Sequence, residues 1–203
     1  MEKERRHGAQ LAVLLSNIFI PPTWAILVFW SLSIKFGYSF GQVVLWGTTG
    51  TLFAAVIPVL YVKWLQKRGA ITHKHIPIRS QRHGPYVLSL AFLLLTLDLL
   101  YVFKVPPFLL AAVLTLAGNT IAIFIVNLFF KISAHMLGTA GPLVILTFAF
   151  GWWIAPLYFF LFLIGWSRIF LKAHTPAQVI WGGLAGLFLT YGQMIIYLNW
   201  LHS

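Results

Sequence analysis

Three short segments of the chain hold the side chains that are able to bind an anion or transfer a proton. The first contains Lys74, Arg79 and Arg82, the second Ser133 and His135, and the third Arg168, His174 and Gln178. Clustered Lys and Arg side chains bind anions, and imidazole gains or loses a proton near neutral pH. If the fold brings the segments together, they form a basic pocket with two His side chains.

The rest of the chain has the composition of a membrane protein. Of its 203 residues, 60% are hydrophobic and 8% are charged. A membrane span needs roughly 20 apolar residues, so the length accommodates six or seven spans and no separate soluble catalytic domain. The sequence therefore predicts an all-α polytopic transmembrane helical bundle that forms one integral membrane domain, 1–203. With no Cys in the chain, disulfides and thiolate chemistry are excluded.

Apolar runs without charge predict seven spans. The fifth and sixth runs are short and joined by almost no loop, so they are predicted as a tight hairpin or a partly re-entrant segment, and six spans remain the alternative. Pro21 and Pro22 predict a kink or an early break in the first run. The predicted spans are 11–34, 42–62, 86–103, 107–130, 136–152, 154–166 and 176–200.

The basic residues fall almost entirely on one side of this topology. With an odd number of spans, every Lys and Arg except Lys35 and Lys104 lies on the side of the N-terminus. The positive-inside rule then places the basic tail 1–10 and the basic loop 63–85 in the cytoplasm. The net charge of +11 predicts contact with anionic membrane lipids and not with nucleic acid.

Pairs of predicted spans separate the three polar segments from one another. Each pair returns the chain to the face it left, so all three segments are expected at the cytoplasmic interface. The topology thus predicts one shared basic pocket with two His residues.

The order and spacing of these segments resemble the type 2 phosphatidic acid phosphatase superfamily of membrane phosphatases. Ser167-Arg168, five residues and then His174 resembles the third motif of that family, and Ile132-Ser133-Ala134-His135 resembles the second. The stretch 74–85 is a looser match to the first motif. The resemblance covers about 74–186, which is the expected phosphatase-like core.

The resemblance implies an enzyme that hydrolyses a phosphate ester or diphosphate of a lipid. In this family the third-motif His attacks phosphorus and forms a phosphohistidine, which corresponds to His174, and the second-motif His, here His135, protonates the leaving oxygen. Arg168 corresponds to the firmest phosphate ligand. No cofactor is implied, and three acidic residues in the whole chain exclude a magnesium site built from carboxylates. The remaining phosphate-binding candidates are Lys74, Arg79, Arg82 and Ser133.

Several positions depart from the family pattern. Gln178 stands where the family has an Asp that orients the nucleophilic His, and Ile132 and Ala134 replace the usual Pro and Gly of the second motif. The dolichyl-diphosphate phosphatases, a branch that this chain resembles, also have His-Thr followed by Gln, so the resemblance implies that Gln178 is compatible with activity. An isoprenoid diphosphate is one lipid substrate that the resemblance implies. Resemblance to a divergent group of bacterial membrane proteins implies the inner, or plasma, membrane of a bacterium.

Two other functions remain open at this level. One is an inactive phosphatase-like scaffold or accessory subunit, with partner subunits or as a homo-oligomer. The other is a binder or transporter of lipid phosphates.

Individual residues also have purely structural interpretations. Gln178 can complete a capping box with Thr175, and both His residues can be interfacial residues without chemistry. Asp98 in the third run is either functional or held by Asn119 or Asn127.

Overall fold

A computed structural model describes residues 2–71, 76, 78 and 80–202, with the backbone alone for 2–5 and 202. The predicted ligands Lys74 and Arg79 therefore lie outside the described residues. Within the described ranges the chain is helical and contains no strand, as the sequence predicts. The helices are α1 Glu2–Ile18, α2 Pro21–Phe36, α3 Phe40–Thr51, α4 Ile57–Lys67, α5 His83–Val102, α6 Pro107–Phe129, α7 Ala134–Phe150, α8 Phe159–Phe170 and α9 Pro176–His202.

The described residues include five helices that are long and apolar enough to cross a membrane, or six if α1 and α2 count together as one bent span. Helices of this kind indicate an integral membrane protein. Helices α3 and α4 belong to one 28-residue span, Phe40–Lys67, joined by a π-helical turn at Leu52–Val56. Pro58 follows this turn, and its ring would crowd the carbonyl of Ala54 in a regular α-helix. The wider turn accommodates it.

The first predicted span is broken, as its two prolines predict. Helices α1 and α2 meet at an angle of 52°. Ile20 is extended, with φ −83° and ψ 158°, which is the conformation favoured before a proline, and Pro21 begins α2. Because of the break, α1 packs along α8, where Gly8 faces the ring of Phe170, and its last turn ends beside the candidate site described below.

The chain reverses between α7 and α8. The reversal is a 3-10 helix, Gly151–Tyr158, and Gly151 has a φ of +72°, a backbone conformation that favours glycine. A continuous helix would separate His135 from Arg168 by about 50 Å, yet both line one cavity. The chain therefore reverses here, which both predicted alternatives, a tight hairpin and a partly re-entrant segment, require. Seven spans remain a prediction, because α8 has 12 residues and a full crossing needs roughly 20.

Close packing of α7 against α9 holds the second and third polar segments together. A Cβ on Gly182 would meet the backbone oxygen of Ser133 at 2.7 Å, and one on Gly186 would meet the Cβ of Ala140 at the same distance. Glycine at both positions lets the two backbones approach. This contact is reinforced by the Ser133 N–H, which donates to the Gln178 carbonyl at 3.0 Å.

Candidate active site

One cavity of about 390 Å³ brings the predicted segments together. Arg82, His135, Arg168 and His174 line one end of it, so at least one residue from each segment is present. The rest of the cavity runs between the helices and is mainly apolar, with Ser89, Asn119 and Thr120 as polar exceptions. Its apolar lining residues include Ala25, Ala54, Leu93, Leu116, Ile123 and Pro142. The cavity therefore has a basic end and a mainly apolar end.

The turn between α8 and α9 explains the five-residue interval between Arg168 and His174. The Arg168 carbonyl accepts the N–H of Ala173 at 3.0 Å and that of His174 at 3.3 Å, which folds the loop back over the end of α8. Lys172 takes the left-handed conformation, with φ +50°, that commonly ends a helix. As a result His174 and Arg168, which the family resemblance implies as nucleophile and phosphate ligand, are neighbours.

Hydrogen bonds fix the tautomer of His174. Its Nδ1 lies 3.0 Å from Gln178 Oε1, and the same oxygen accepts the Thr175 N–H at 3.3 Å. Because a backbone N–H only donates, the amide atom at this position is the oxygen, and Nδ1 must carry the proton. The lone pair then lies on Nε2, the nitrogen that would act as a nucleophile.

Gln178 combines the two roles considered for it. Its backbone N–H donates to Thr175 Oγ1 at 3.3 Å while its side chain returns to the Thr175 N–H, which completes the capping box of α9. The same side chain orients His174. Gln178 does not itself line the cavity, so its effect on any ligand passes through the imidazole.

The His174 imidazole is held in its neutral form. Burial, and then the nearby positive charge of Arg168, lower its pKa from 6.5 to about 3. The hydrogen bond to Gln178 acts in the opposite direction but is outweighed. At neutral pH this residue is therefore an uncharged base.

His135 lies in the first turn of α7, buried and in contact with the end of α1. Its Nε2 is 3.2 Å from the Ser16 carbonyl. A carbonyl oxygen only accepts hydrogen bonds, so Nε2 carries a proton. Ser133, expected as a phosphate ligand, instead caps α7 by accepting the Met136 N–H at 3.4 Å, and it is fully buried. It positions the helix that carries His135.

Two buried guanidinium groups supply positive charge to the cavity. Arg82 is 5% exposed and donates to the backbone oxygens of Ile76 at 2.8 Å and Ile132 at 3.5 Å. Arg168 is 2% exposed; its Nη1 donates to the Ser16 hydroxyl, and its Nε has no partner among the described residues.

Neither guanidinium is paired with a carboxylate within the described part of the chain. Removing a charge from water costs several kcal/mol unless it is paired. The basic end of the cavity thus has the electrostatics of an anion site.

Lys131 extends the positive charge just outside the membrane-spanning segments. Its Nζ donates to the Ala173 carbonyl at 3.1 Å, which ties the segment before α7 to the loop before α9. Burial and the charges of Arg82 and Arg168 lower the pKa of its ammonium group. A bound anion would offset this repulsion.

Some cavity residues were not predicted as site residues. Ser16 contacts Arg168 and His135, and the next residue, Asn17, lines the cavity. Lys63 also lines the cavity, although the sequence had indicated only that it belongs to the positive charge on the cytoplasmic side. In the sequence, the adjacent polar residues Ser16 and Asn17 within the apolar run 11–34 were the signal that α1 contributes to the site. Further polar lining residues are Gln66 and Tyr86.

Asp98 does not take part in this site. It is exposed on α5. The amide of Asn119, one expected partner, instead donates to Thr190 and accepts from Gln193. In the described ranges no three His, Cys, Asp or Glu side chains converge as a metal site would require.

Comparison with known proteins returned no relative. No family model, no curated protein and no solved structure matches the chain. The resemblance of the three segments to membrane phosphatases accordingly stays a sequence-based prediction.

Proposed function

We propose that this protein is a membrane phosphatase that removes phosphate from a lipid phosphate or diphosphate through a phosphohistidine on His174. The observation that carries the proposal is the state of His174. It is a buried, neutral imidazole whose Nδ1–H is held by Gln178, and it lies near the Arg168 guanidinium, which has no carboxylate partner within the described residues. A nucleophile and an anion-binding group close together are the minimum for phosphoryl transfer.

The proposed reaction has two steps. In the first, His174 Nε2 forms a bond to phosphorus, the bond from phosphorus to the lipid oxygen breaks, and His135, in its imidazolium form, gives its Nδ1 proton to that oxygen. In the second, the neutral His135 takes a proton from water at Nδ1, the water oxygen bonds to phosphorus, and the bond to His174 Nε2 breaks. Phosphate is released, and both imidazoles return to their starting state.

The electrostatic contribution comes from the buried cations. Arg168 and Arg82 would contact phosphoryl oxygens, because a guanidinium presents paired N–H donors that match them. Their burial strengthens each such contact, since less water competes for the charge. Gln178 keeps Nε2 available without adding negative charge, so these cations must supply most of the transition-state stabilisation.

The apolar end of the cavity supports a lipid substrate. The reacting group would occupy the basic end, and the hydrocarbon chain would extend between α2, α5, α6 and α7. A volume of about 390 Å³ is at the small end of the range for ligand sites, which favours a substrate with one slender chain, such as an isoprenoid.

Phosphate release from a panel of lipid phosphates and diphosphates tests the proposal. The detergent-purified protein should release phosphate from at least one member, and His174→Ala should lower the rate by about 10⁴-fold. His83→Ala is a matched control, because His83 is half-buried but does not line the cavity. Phosphate binding without release from any member would contradict the enzyme and favour the lipid-phosphate binder.

We also propose that the basic end faces the cytoplasm of a bacterium across its inner membrane. The distribution of Lys and Arg supports this orientation. In intact cells, an impermeant thiol reagent should label Tyr38→Cys, in the exposed loop between α2 and α3, and should not label Ser80→Cys beside the cavity. Labelling of the second variant from outside would reverse the orientation.

A further inference from the structure

The last turn of α1 forms part of the candidate site, although it is far from the other site residues in sequence. The 52° break before α2 turns this end of α1 toward the cavity. Asn17 lines the cavity, and Ser16 is fully buried beside it. A fully buried polar side chain in the apolar second half of α1 needs a hydrogen-bond partner, and Ser16 has two.

Ser16 contacts both residues that would do chemistry with His174. Its hydroxyl accepts a hydrogen bond from Arg168 Nη1, across 152 positions of sequence. Its backbone carbonyl accepts from His135 Nε2 at 3.2 Å. One residue of α1 therefore joins the second and third polar segments.

The hydroxyl contact leaves the anion-binding capacity of Arg168 largely unused. A guanidinium has five N–H donors, and Ser16 takes one on Nη1, while Nε has no partner among the described residues. An arginine side chain has many rotamers, so one fixed contact limits the directions in which the remaining donors can point. Ser16 is thus placed to orient the guanidinium without occupying the donors that an anion needs.

We propose that Ser16 is a positioning residue that holds the Arg168 guanidinium in the orientation that binds the substrate phosphate. Its carbonyl holds the Nε2–H tautomer of His135 in the same way. Helix α1 is then part of the catalytic unit and more than a membrane anchor. The inference rests on the proposed function, because it assigns Ser16 to the same phosphate site.

Two substitutions of Ser16 test this role by binding. The affinity of the purified protein for inorganic phosphate is measured by calorimetry, which needs no turnover. Ser16→Ala removes the hydroxyl and should weaken phosphate binding about tenfold, as expected for loss of one hydrogen bond to a charged group. Ser16→Cys retains an atom that can accept from Arg168 and should recover part of the affinity.

Ser33→Ala is the matched control. Ser33 is also fully buried, but its hydroxyl has no partner among the described residues, and it does not line the cavity. This variant should bind phosphate as the wild type does. With the lipid substrate that the phosphate-release assay identifies, Ser16→Ala should raise KM and lower kcat, because Arg168 contacts the phosphoryl group in both the ground state and the transition state.

The outcomes separate this inference from the proposed function. Wild-type affinity in Ser16→Ala would overturn the positioning role, and so would an equal loss in Ser33→Ala. If Ser16→Ala does not fold, Ser16→Cys alone tests the inference. Phosphate affinity, kcat and KM of Ser16→Cys that all equal the wild-type values would then overturn the positioning role of Ser16. Phosphate binding without turnover would remove the hydrolase but leave the Ser16 result valid. No phosphate binding by the wild type would overturn both.

Discussion

Two buried polar clusters in this molecule are built in opposite ways. Where α6 meets α9, Asn119 Nδ2 donates to Thr190 Oγ1 at 2.7 Å, and Gln193 Nε2 donates to Asn119 Oδ1 at 3.1 Å. At the basic end of the cavity, Arg168 is buried without a carboxylate partner in the described chain, and its Nε is unpaired. The first cluster is neutral, with both amide atoms of Asn119 bonded, although Gln193 Oε1 has no partner among the described residues and Asn119 also lines the cavity. The second cluster is charged, and its charge is not balanced by a described carboxylate.

The difference distinguishes polar groups that stabilise the helical bundle from polar groups that are available to bind a ligand. A neutral network whose members bond to one another stabilises a buried helix pair at little cost. A buried charge without a partner costs stability, so it persists only where it serves another purpose. Mutation in the neutral cluster should therefore lower stability and leave activity nearly unchanged. Mutation in the charged cluster should lower activity and raise stability.

Among substitutions in the two clusters, replacement of Arg168 should have the largest effect. Arg168→Met keeps a long side chain and removes the buried charge, so phosphate release should fall about a thousandfold while the free energy of unfolding rises by about 1 kcal/mol. Parallel rate assays and thermal unfolding in detergent measure the two. A variant that is both inactive and clearly destabilised would mean that Arg168 is a structural residue, like those of the first cluster.

A change in the charge of Gln178 should shift the pH dependence of the rate. The neutral form of His174 is the nucleophile and predominates above its pKa of about 3. Protonation of His174 should therefore not lower the wild-type rate until the pH approaches that value. Gln178→Glu adds a negative charge beside Nδ1, which favours imidazolium and raises the pKa. The acidic limb of the pH–rate profile should therefore move to higher pH.

The profile of Gln178→Ala serves as the reference for that shift. It removes the hydrogen bond that favours the charged form without adding charge, so its acidic limb should not move upward. Identical profiles for Gln178→Glu and the wild type would contradict the assignment of this limb to His174.

Loss of the Thr190 hydroxyl should have the smallest effect. Thr190→Val keeps the volume but leaves Asn119 Nδ2 without its acceptor, which should lower the free energy of unfolding by about 1 kcal/mol. Phosphate release should stay within about twofold of wild type, since Thr190 does not line the cavity. A large loss of activity at unchanged stability would assign this cluster to the site.

Local geometry could be predicted from the sequence, and long-range contacts could not. The break at Pro21, the reversal between α7 and α8, and the turn that joins Arg168 to His174 depend on backbone preferences over a few residues. The pairs of predicted spans between the three polar segments placed these distant segments on one face. These features are enough to predict the helical bundle and the meeting of Arg82, His135, Arg168 and His174.

The contacts of Ser16 and Asn119 depend instead on how helices rotate and pack. Ser16 meets Arg168 across 152 positions of sequence, and Asn119 meets Thr190 across 71. Neither pair has a spacing that a single sequence could reveal. Ser133 shows the same limit, because its place in a motif did not reveal that its hydroxyl caps α7 and is fully buried.

Detection of the covalent intermediate is the most direct test of the account. The protein is mixed with a substrate from the active class, quenched with alkali after one turnover, and digested for mass spectrometry. One phosphoryl group is expected on His174, absent from His174→Ala and present in His83→Ala. Phosphate release by a protein in which His174 is never phosphorylated would contradict the proposed phosphohistidine mechanism.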